Sequence, residues 1–305
     1  MINIEFKSIR ELVKAFPDEQ TCINHLEELR WSGNVVSPFD ITSKVYKCAG
    51  NKYRCKNTGR YFNVRTQTLF DNTKIELQSW FVAIYLLTGH KKGISSVQLA
   101  IDLNVTQKTA WFMAHRIRAC FGLDEMKPEK LDNFVEVDET FVGGKDANKH
   151  KKVKEARRLA GTNDKTIVIG AVQRGGGVKA EIINNVTTDS VKPFIESNIV
   201  KGAIMLTDEH KAYEALAKEY FHEKVAHSKG EYVRGLIHTN RIEGFWSLMK
   251  RGIIGIYHYT SKKHLQKYVD EFAFRYNSRE ISTLSRFNLL LANSHNRLTY
   301  KNLIA

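Results

Sequence analysis

Two apolar runs that carry an aspartate at or near their ends frame this chain. Phe134–Val142, in the stretch VEVDETFVGG, reads as a buried strand bearing Asp138, and Ala203–Thr207 reads as a second strand that runs directly into Asp208 in AIMLTDEH. A third acid, Glu243, lies in HTNRIEGFWSLMK, whose apolar spacing is helical, and 34 residues separate it from Asp208. Two strands and a helix come together in a layered α/β domain. Three carboxylates held there make a cup for hard divalent cations, and Mg²⁺ suits such a cup because it takes a few carboxylates and keeps several waters. Each acid also has a plainer reading by itself. Asp138 before Gly143-Gly144 caps a turn, Asp208 caps a helix, and Glu243 is a solvated acid on an amphipathic helix.

The segments before these acids differ in texture. Residues 1–31 read as N-terminal helices, since SIRELVKAF and EQTCINHLEELRW space their apolar residues by three and four. Residues 32–70 carry short β-like runs, Lys44–Lys47 and Arg60–Arg65, around turn-like AGNK and KNTG, and form a small β-rich module. Residues 71–125 turn helical again: LQSWFVAIYLLTG is a core helix, and GISSVQLAIDLNVTQKTAWFMAHRIRAC reads as helix, turn, helix. Ser95 and Thr106 are natural N-caps, and Leu99, Leu103, Val105, Ala110, Met113 and Ile117 form the inner face. Thr106, Gln107 and Lys108 open the second helix with side chains able to reach base edges, preceded by Lys91 and Lys92. Any packed helix pair gives a similar pattern.

Beyond residue 130 the expected strands are Phe134–Val142, Lys165–Arg174, Val178–Val186 and Ala203–Thr207, with helices at Ser190–Val200, His210–Tyr220, Asn240–Lys250 and Ser261–Tyr276. Lys145–Arg158 reads as a basic loop. Glu139 follows Asp138 on a strand and is expected to point to the other face, as a structural group or one that supports the site from behind its ligands. Phe245 and Trp246 read as core, and Thr239 as an N-cap; His210 and Tyr213 read as lining the site or, more plainly, as helix packing.

Composition narrows the partner. The net charge is +14, and residues 225–305 alone hold 13 Lys/Arg against 5 Asp/Glu, so the excess is not one tail. A polyanion such as nucleic acid is the expected partner. Lys250, Arg251, Lys262 and Lys263 are candidate phosphate contacts; the plainer reading is a solvated charged face. No run approaches the length needed to span a bilayer, and the four cysteines form no paired framework, so a cytoplasmic protein without membrane contact is expected.

Three hairpin-like strands, a helix, a fourth strand and a late helix bearing an acid follow the order of a ribonuclease-H-like fold. With this acid spacing, the chain resembles DDE-type transposases of bacterial insertion sequences, and within them the ISXO-like group. NVRTQTLFDNTKIELQSWFVAIYLLT, KKGISSVQLAIDLNVTQKTAWFMAHRIR, VEVDETFVGG, LTDEHKAY and HTNRIEGFWSLMKRGIIGIYHYTSKKHLQKYVDEFAFRYNSR carry the resemblance over roughly residues 20–280. It implies an α/β fold with a mixed sheet covered by helices on both faces over residues 130–280, a helix-turn-helix DNA-binding region over 71–125 and a tail over 281–305. It implies that Asp138, Asp208 and Glu243 are catalytic and hold two Mg²⁺ or Mn²⁺ ions. Asn240, one turn before Glu243 on the same face, is the alternative third ligand. Lys250, seven residues after Glu243, lies on that face for a DNA phosphate. The resemblance further implies binding to terminal inverted repeats and target DNA, metal-dependent cleavage and strand transfer, and a homo-oligomer on DNA.

One departure stands out. The group usually carries a zinc ribbon with two cysteine pairs, and here Ser37-Pro38-Phe39-Asp40 and Cys55-Lys56-Asn57-Thr58 stand at those positions. A structural zinc site takes four Cys/His ligands, so zinc is not expected, although Cys22, His25, Cys48 and Cys55 offer a rearranged set. The other readings are a DNA-binding derivative that no longer catalyses, which the lost thiolates favour and the intact acids oppose, and a stand-alone nuclease, which has no need of the Thr106–Cys120 helix.

Overall fold

A computed structural model of the chain describes residues 6–143, 155, 165–216, 219–225 and 233–305. The expected basic loop, Lys145–Arg158, therefore lies outside the described residues apart from Glu155. The chain divides into two compact units, Met1–Met126 with Ser278–Ala305, and Lys127–Asn277. No described helix is long and apolar enough to cross a membrane.

The first unit begins with helices α1 (Ile9–Ala15) and α2 (Glu19–Trp31), capped by the Ser8 and Asp18 side chains. A three-stranded antiparallel sheet follows, β1 (Val45–Cys48), β2 (Lys52–Cys55) and β3 (Tyr61–Phe62). Helices α3 (Leu77–Gly89), α4 (Ser96–Leu103) and α5 (Gln107–Phe121) come next. Ser95 and Thr106 cap α4 and α5 as expected, accepting from the Gln98 and Thr109 amides. Asn104, in the left-handed conformation, ends α4. Leu99, Ala110, Met113 and Ile117 are buried, while Leu103 and Val105 are half-buried.

The residues expected as a C-terminal tail are structured. They form α9 (Thr283–Ala292) and α10 (Tyr300–Ile304), and the numbers between belong to helices of the second unit. Phe287 of α9 lies in an aromatic cluster with Phe16 and Phe81, its ring 5.5 Å from that of Phe81. Burying that ring and its neighbours Leu290 and Leu291 stabilises the helix by about 1.5–3 kcal/mol per side chain.

The second unit is built on a five-stranded mixed sheet of order β6-β5-β4-β7-β8. Its strands are β4 (Phe134–Val142), β5 (Thr166–Gln173), β6 (Val178–Ile183), β7 (Ile204–Thr207) and β8 (Phe221–Lys224). β4, β5 and β6 are antiparallel neighbours, whereas β7 runs parallel to both β4 and β8. Helix α6 (Thr188–Asn198) and a 3₁₀ stretch (Lys211–Leu216) cover one face; α7 (Asn240–Gly252) and α8 (Lys262–Asn277) cover the other. Alternation along β4 sorts its residues: Val135 and Val137 enter the α6 core, while Glu136 and Asp138 face α7. This is the expected ribonuclease-H-like α/β sheet with helices on both faces.

Two details differ from expectation. His210–Tyr220 is not an α-helix: the six residues Lys211–Leu216 wind as 3₁₀, which turns Tyr213 and Leu216, three apart, inward together. β8 has no counterpart among the expected strands, because FHEK is an edge strand with Phe221 70% exposed and lacks an apolar run.

Glu136, fully buried in the middle of β4, joins the sheet to α7. One carboxylate oxygen accepts from Arg174 Nε at 2.7 Å with His238 Nδ1 at 3.3 Å, and the other accepts from the Arg241 and Ile242 amides at 2.7 and 3.2 Å. Those amides lie in the first turn of α7, so a buried acid caps the helix from across the domain. Glu136→Ala is expected to lower stability by about 3–5 kcal/mol, since it strands the Arg174 charge and uncaps α7. Urea unfolding of the two proteins checks this; a loss below about 1 kcal/mol means the network contributes little.

Candidate metal centre

Asp138 sits just past the paired part of β4 and β7, whose register runs from Phe134↔Ile204 to Glu136↔Leu206. β7 stops at Thr207, so Asp208 leaves the sheet beside Asp138 at the carboxyl end of a parallel strand, where open α/β sheets place their sites. The Thr207 hydroxyl fixes this turn: it donates to the Asp208 carbonyl and lies 2.8 Å from His222 Nε2 on β8. One Asp208 oxygen then accepts from the His210 amide at 2.9 Å.

Asp138 is aimed by Trp246 of α7, whose indole N–H donates to it at 3.0 Å. Gly170 lies opposite Asp138 on β5 and leaves room for that indole; a Cβ there would lie 2.6 Å from the ring. Trp246 and Phe245 are buried core residues, as expected, and Trp246 additionally orients the acid.

Glu139 does more than expected. Its side chain does start on the opposite face, where its carboxylate accepts from the Tyr213 hydroxyl at 2.5 Å. Yet beyond the end of the neighbouring strand β7 its longer arm brings a carboxylate oxygen to within 4.8 Å of oxygens from both Asp138 and Asp208. Among the described residues, Asp138, Glu139 and Asp208 are the acids that close to metal-binding range. Tyr213 is buried and serves this cluster instead of packing alone.

Glu243 stands outside that tight group. It is exposed on the first turn of α7, where the Thr239 hydroxyl donates to it at 2.9 Å, so Thr239 occupies the N-cap position without capping through its side chain. Its charge nevertheless reaches Asp138. Asn240 is also exposed at the start of the helix, and Lys250 and Arg251 are exposed in its last turn.

The electrostatics describe a site short of positive charge. Burial, with the charges of Asp208 and Glu243 added, pushes the Asp138 carboxyl up to about 6 against the pull of its backbone and Trp246 bonds. Burial, with Asp138 and Asp208 added, pushes Glu139 up to about 7 despite the Tyr213 bond. The same crowding drives the Tyr213 hydroxyl well above its ordinary value. Crowded carboxylates in a partly dry site ionise together only when a cation joins them, and an all-oxygen donor set selects a hard one such as Mg²⁺ or Mn²⁺.

In the first unit, Thr106, Gln107 and Lys108 are exposed at the start of α5, as are Lys91 and Lys92 before α4. Gln107 Nε2 donates to Ser96 at 2.9 Å, and the Lys108 ammonium lies 5.0 Å from the centre of the Tyr300 ring. The ribbon positions are tied by hydrogen bonds. Asp40 accepts from Thr42 and Asn57. Burial pushes the Cys55 thiol up, but bonds from Ser37, Ser43 and Thr58 outweigh it and bring it down to about 6.

A pH-dependent instability follows from the acid cluster. The folded pKa values of Asp138 and Glu139 stand above their unfolded values. Their contribution to stability is therefore full at low pH and is lost as pH rises through about 6 and 7. In metal-free protein, Asp138→Asn and Glu139→Gln should each stabilise by roughly 1–3 kcal/mol at about pH 8 and by little at about pH 4. Denaturant titrations at the two pH values decide it; an equal gain at both would show that charge is not the cause.

Residues 130–277 match the model of a family described as the ISXO2-like transposase domain. A protein of Halobacterium salinarum, described as an uncharacterized protein in transposable element ISH50, is 30% identical over 278 residues, which is 86% of this chain and 92% of the relative. An uncharacterized transposase-like protein of Haemophilus influenzae is 26% identical over 103 residues, 33% of this chain and 82% of that protein. A pre-cleavage Mos1 transpososome is 12% identical with a TM-score of 0.25, covering 95% of this chain and 98% of that one, a likeness too distant to build on. The Halobacterium relative extends along most of this chain, and the matched domain coincides with the five-stranded sheet and its acids. This chain therefore belongs to the ISXO2-like transposases of insertion elements.

Proposed function

We propose that the protein binds the terminal inverted repeats of its element and catalyses metal-dependent cleavage and transfer of their DNA strands. The observation that carries this reading is the meeting of Asp138 in mid-β4 with Asp208 at the end of the adjacent β7, with Glu139 in reach and burial raising the pKa of Asp138. Asp138 and Asp208 are the two fixed ligands, and Glu243 or Asn240 on the first turn of α7 supplies a third. Divalent ions held by these residues would supply Lewis-acid activation of the attacking oxygen and charge stabilisation of the leaving one in a phosphodiester displacement.

The chain's own groups do the positioning. Trp246 and Tyr213 hold Asp138 and Glu139 with neutral donors, which orient the carboxylates without cancelling their charge. Thr207 and His222 set the backbone that presents Asp208. Lys250 and Arg251 follow on α7 as phosphate contacts. In the first unit, Thr106, Gln107 and Lys108 read base edges, and Lys91 and Lys92 take phosphates. Cutting two ends together calls for at least two copies of the chain on DNA.

Cleavage of labelled duplex carrying the element's terminal repeat tests the site. Asp138→Ala and Asp208→Ala should each slow Mg²⁺-dependent cutting by about a thousandfold or more while end binding changes by no more than about twofold, and EDTA should abolish cutting by the wild type. Nicking that persists in Asp138→Ala overturns the assignment. Loss in Glu243→Ala but not in Asn240→Ala makes Glu243 the third ligand, and the reverse makes it Asn240.

Binding separates readout from charge. Gln107→Ala should narrow the preference for the repeat over unrelated duplex, by about 1–3 kcal/mol. Lys91→Ala and Lys92→Ala should weaken both alike and lower the salt slope by about 1 each. Competition titrations across salt read both quantities, and a repeat preference untouched by Gln107→Ala removes α5 from base reading.

A further inference from the structure

Between Asp40 and Asp71 the chain carries seven lysines and arginines and no acid, half of its net charge of +14. This stretch contains the sheet β1–β3. Its register sets Tyr46 opposite Arg54 and Arg54 opposite Tyr61, so the three side chains form one row across one face. Lys52 stands two residues before Arg54 on β2 and shares that face, about 6.6 Å away, and Lys56 follows, exposed, just past the end of the strand.

The other face is spent on packing. Tyr53, Cys55 and Phe62 are buried, and Trp31 of α2 meets the Tyr53 and Phe62 rings edge-on. Outward, Tyr46 is 43% and Tyr61 60% exposed. The Lys44 ammonium lies 5.5 Å from the centre of the Tyr46 ring, and the Arg54 guanidinium 5.9 Å from that of Tyr61. Phosphate binding alone would need only the cations, and solubility alone would not place two large rings in water.

We propose that this outer face binds unpaired DNA, with bases stacked on Tyr46 and Tyr61 and the phosphates lying along Lys52, Arg54 and Lys56. An aromatic ring on a flat sheet offers a π-face, which pairs with the face of a base. A duplex hides its base faces and shows only groove edges and phosphates, so the rings gain contact only where bases are splayed. The absence of acids across the stretch removes repulsion from the strand. The inference rests on the DNA-cleaving reading above, because cutting and joining strands at an element end frees bases from pairing.

The test uses the full chain and two labelled probes, a single-stranded oligonucleotide of mixed sequence and the duplex terminal repeat. Tyr46→Ala with Tyr61→Ala should weaken single-strand binding by about fivefold or more per ring and leave duplex binding within about twofold. Tyr46→Phe with Tyr61→Phe keeps both rings and should restore wild-type binding. Circular dichroism of each variant confirms the fold; both rings are exposed, so the core is not disturbed. Single-strand binding that survives the alanine pair overturns the proposal, as does an equal fall on both probes, which would mean that the face supplies charge to any DNA. Wild type that binds and cuts the duplex but does not hold the single strand overturns it alone. Wild type that binds neither probe overturns the DNA-cleaving reading, and this one with it.

Discussion

The Glu136 carboxylate is the joint on which the second unit depends. It is a buried charge, and burying a charge costs several kcal/mol unless hydrogen bonds and an opposite charge offset it. Here Arg174 supplies the charge, and the amides at the start of α7 supply donors that no residue within the helix can satisfy. The two needs answer each other. As a result α7 is fastened by its N-terminus to the strand that carries Asp138, two residues along and on the same face. The helix that bears Asn240, Glu243 and Trp246 cannot shift against the sheet without breaking this joint.

The same strand then accumulates charge that nothing in the described cluster neutralises. Asp138 and Glu139 leave β4 on opposite faces and meet again beside Asp208, just past the end of β7, each held by neutral donors. A lysine in place of Trp246 or Tyr213 would stabilise the apoprotein and occupy the place of a cation. The indole and the phenol instead fix direction while leaving the carboxylates anionic. Burial first, and the neighbouring carboxylates after it, raise the pKa values of Asp138 and Glu139, and a divalent ion would offset both.

Much of this could be read from the chain, and what could not has definite physical causes. Asp138 and Asp208 stood out because an apolar run that bears an acid near its end is uncommon, and the caps at Ser95 and Thr106 because N-cap chemistry is local. Glu139 was assigned away from the site by strand alternation. That rule describes where Cβ points, not where a longer carboxylate arrives once the neighbouring strand has ended. Nothing local in VEVDET marks Glu136, since its partner Arg174 lies 38 residues away and the α7 amides over a hundred. The C-terminal helices read as a tail because Phe287 finds its partners, Phe16 and Phe81, at the far end of the sequence. In each missed case the deciding contact is long-range, and periodicity carries only local information.

The small sheet β1–β3 keeps its shape through hydrogen bonds at its turns and packing on one face. The described structure joins Ser37 and Thr58 to the Cys55 sulfur, with Ser43, while Asp40 binds Thr42 and Asn57. Hydroxyl and carboxylate bonds of this kind close these turns. Most of the holding free energy then falls to the inner face, where Trp31, Tyr53 and Phe62 form a dry aromatic layer against α2. A sheet anchored through one face and its turns places no packing demand on the other. The outer residues Tyr46, Lys52, Arg54 and Tyr61 are therefore set by what approaches from solvent and not by the fold, which makes their composition informative about a ligand.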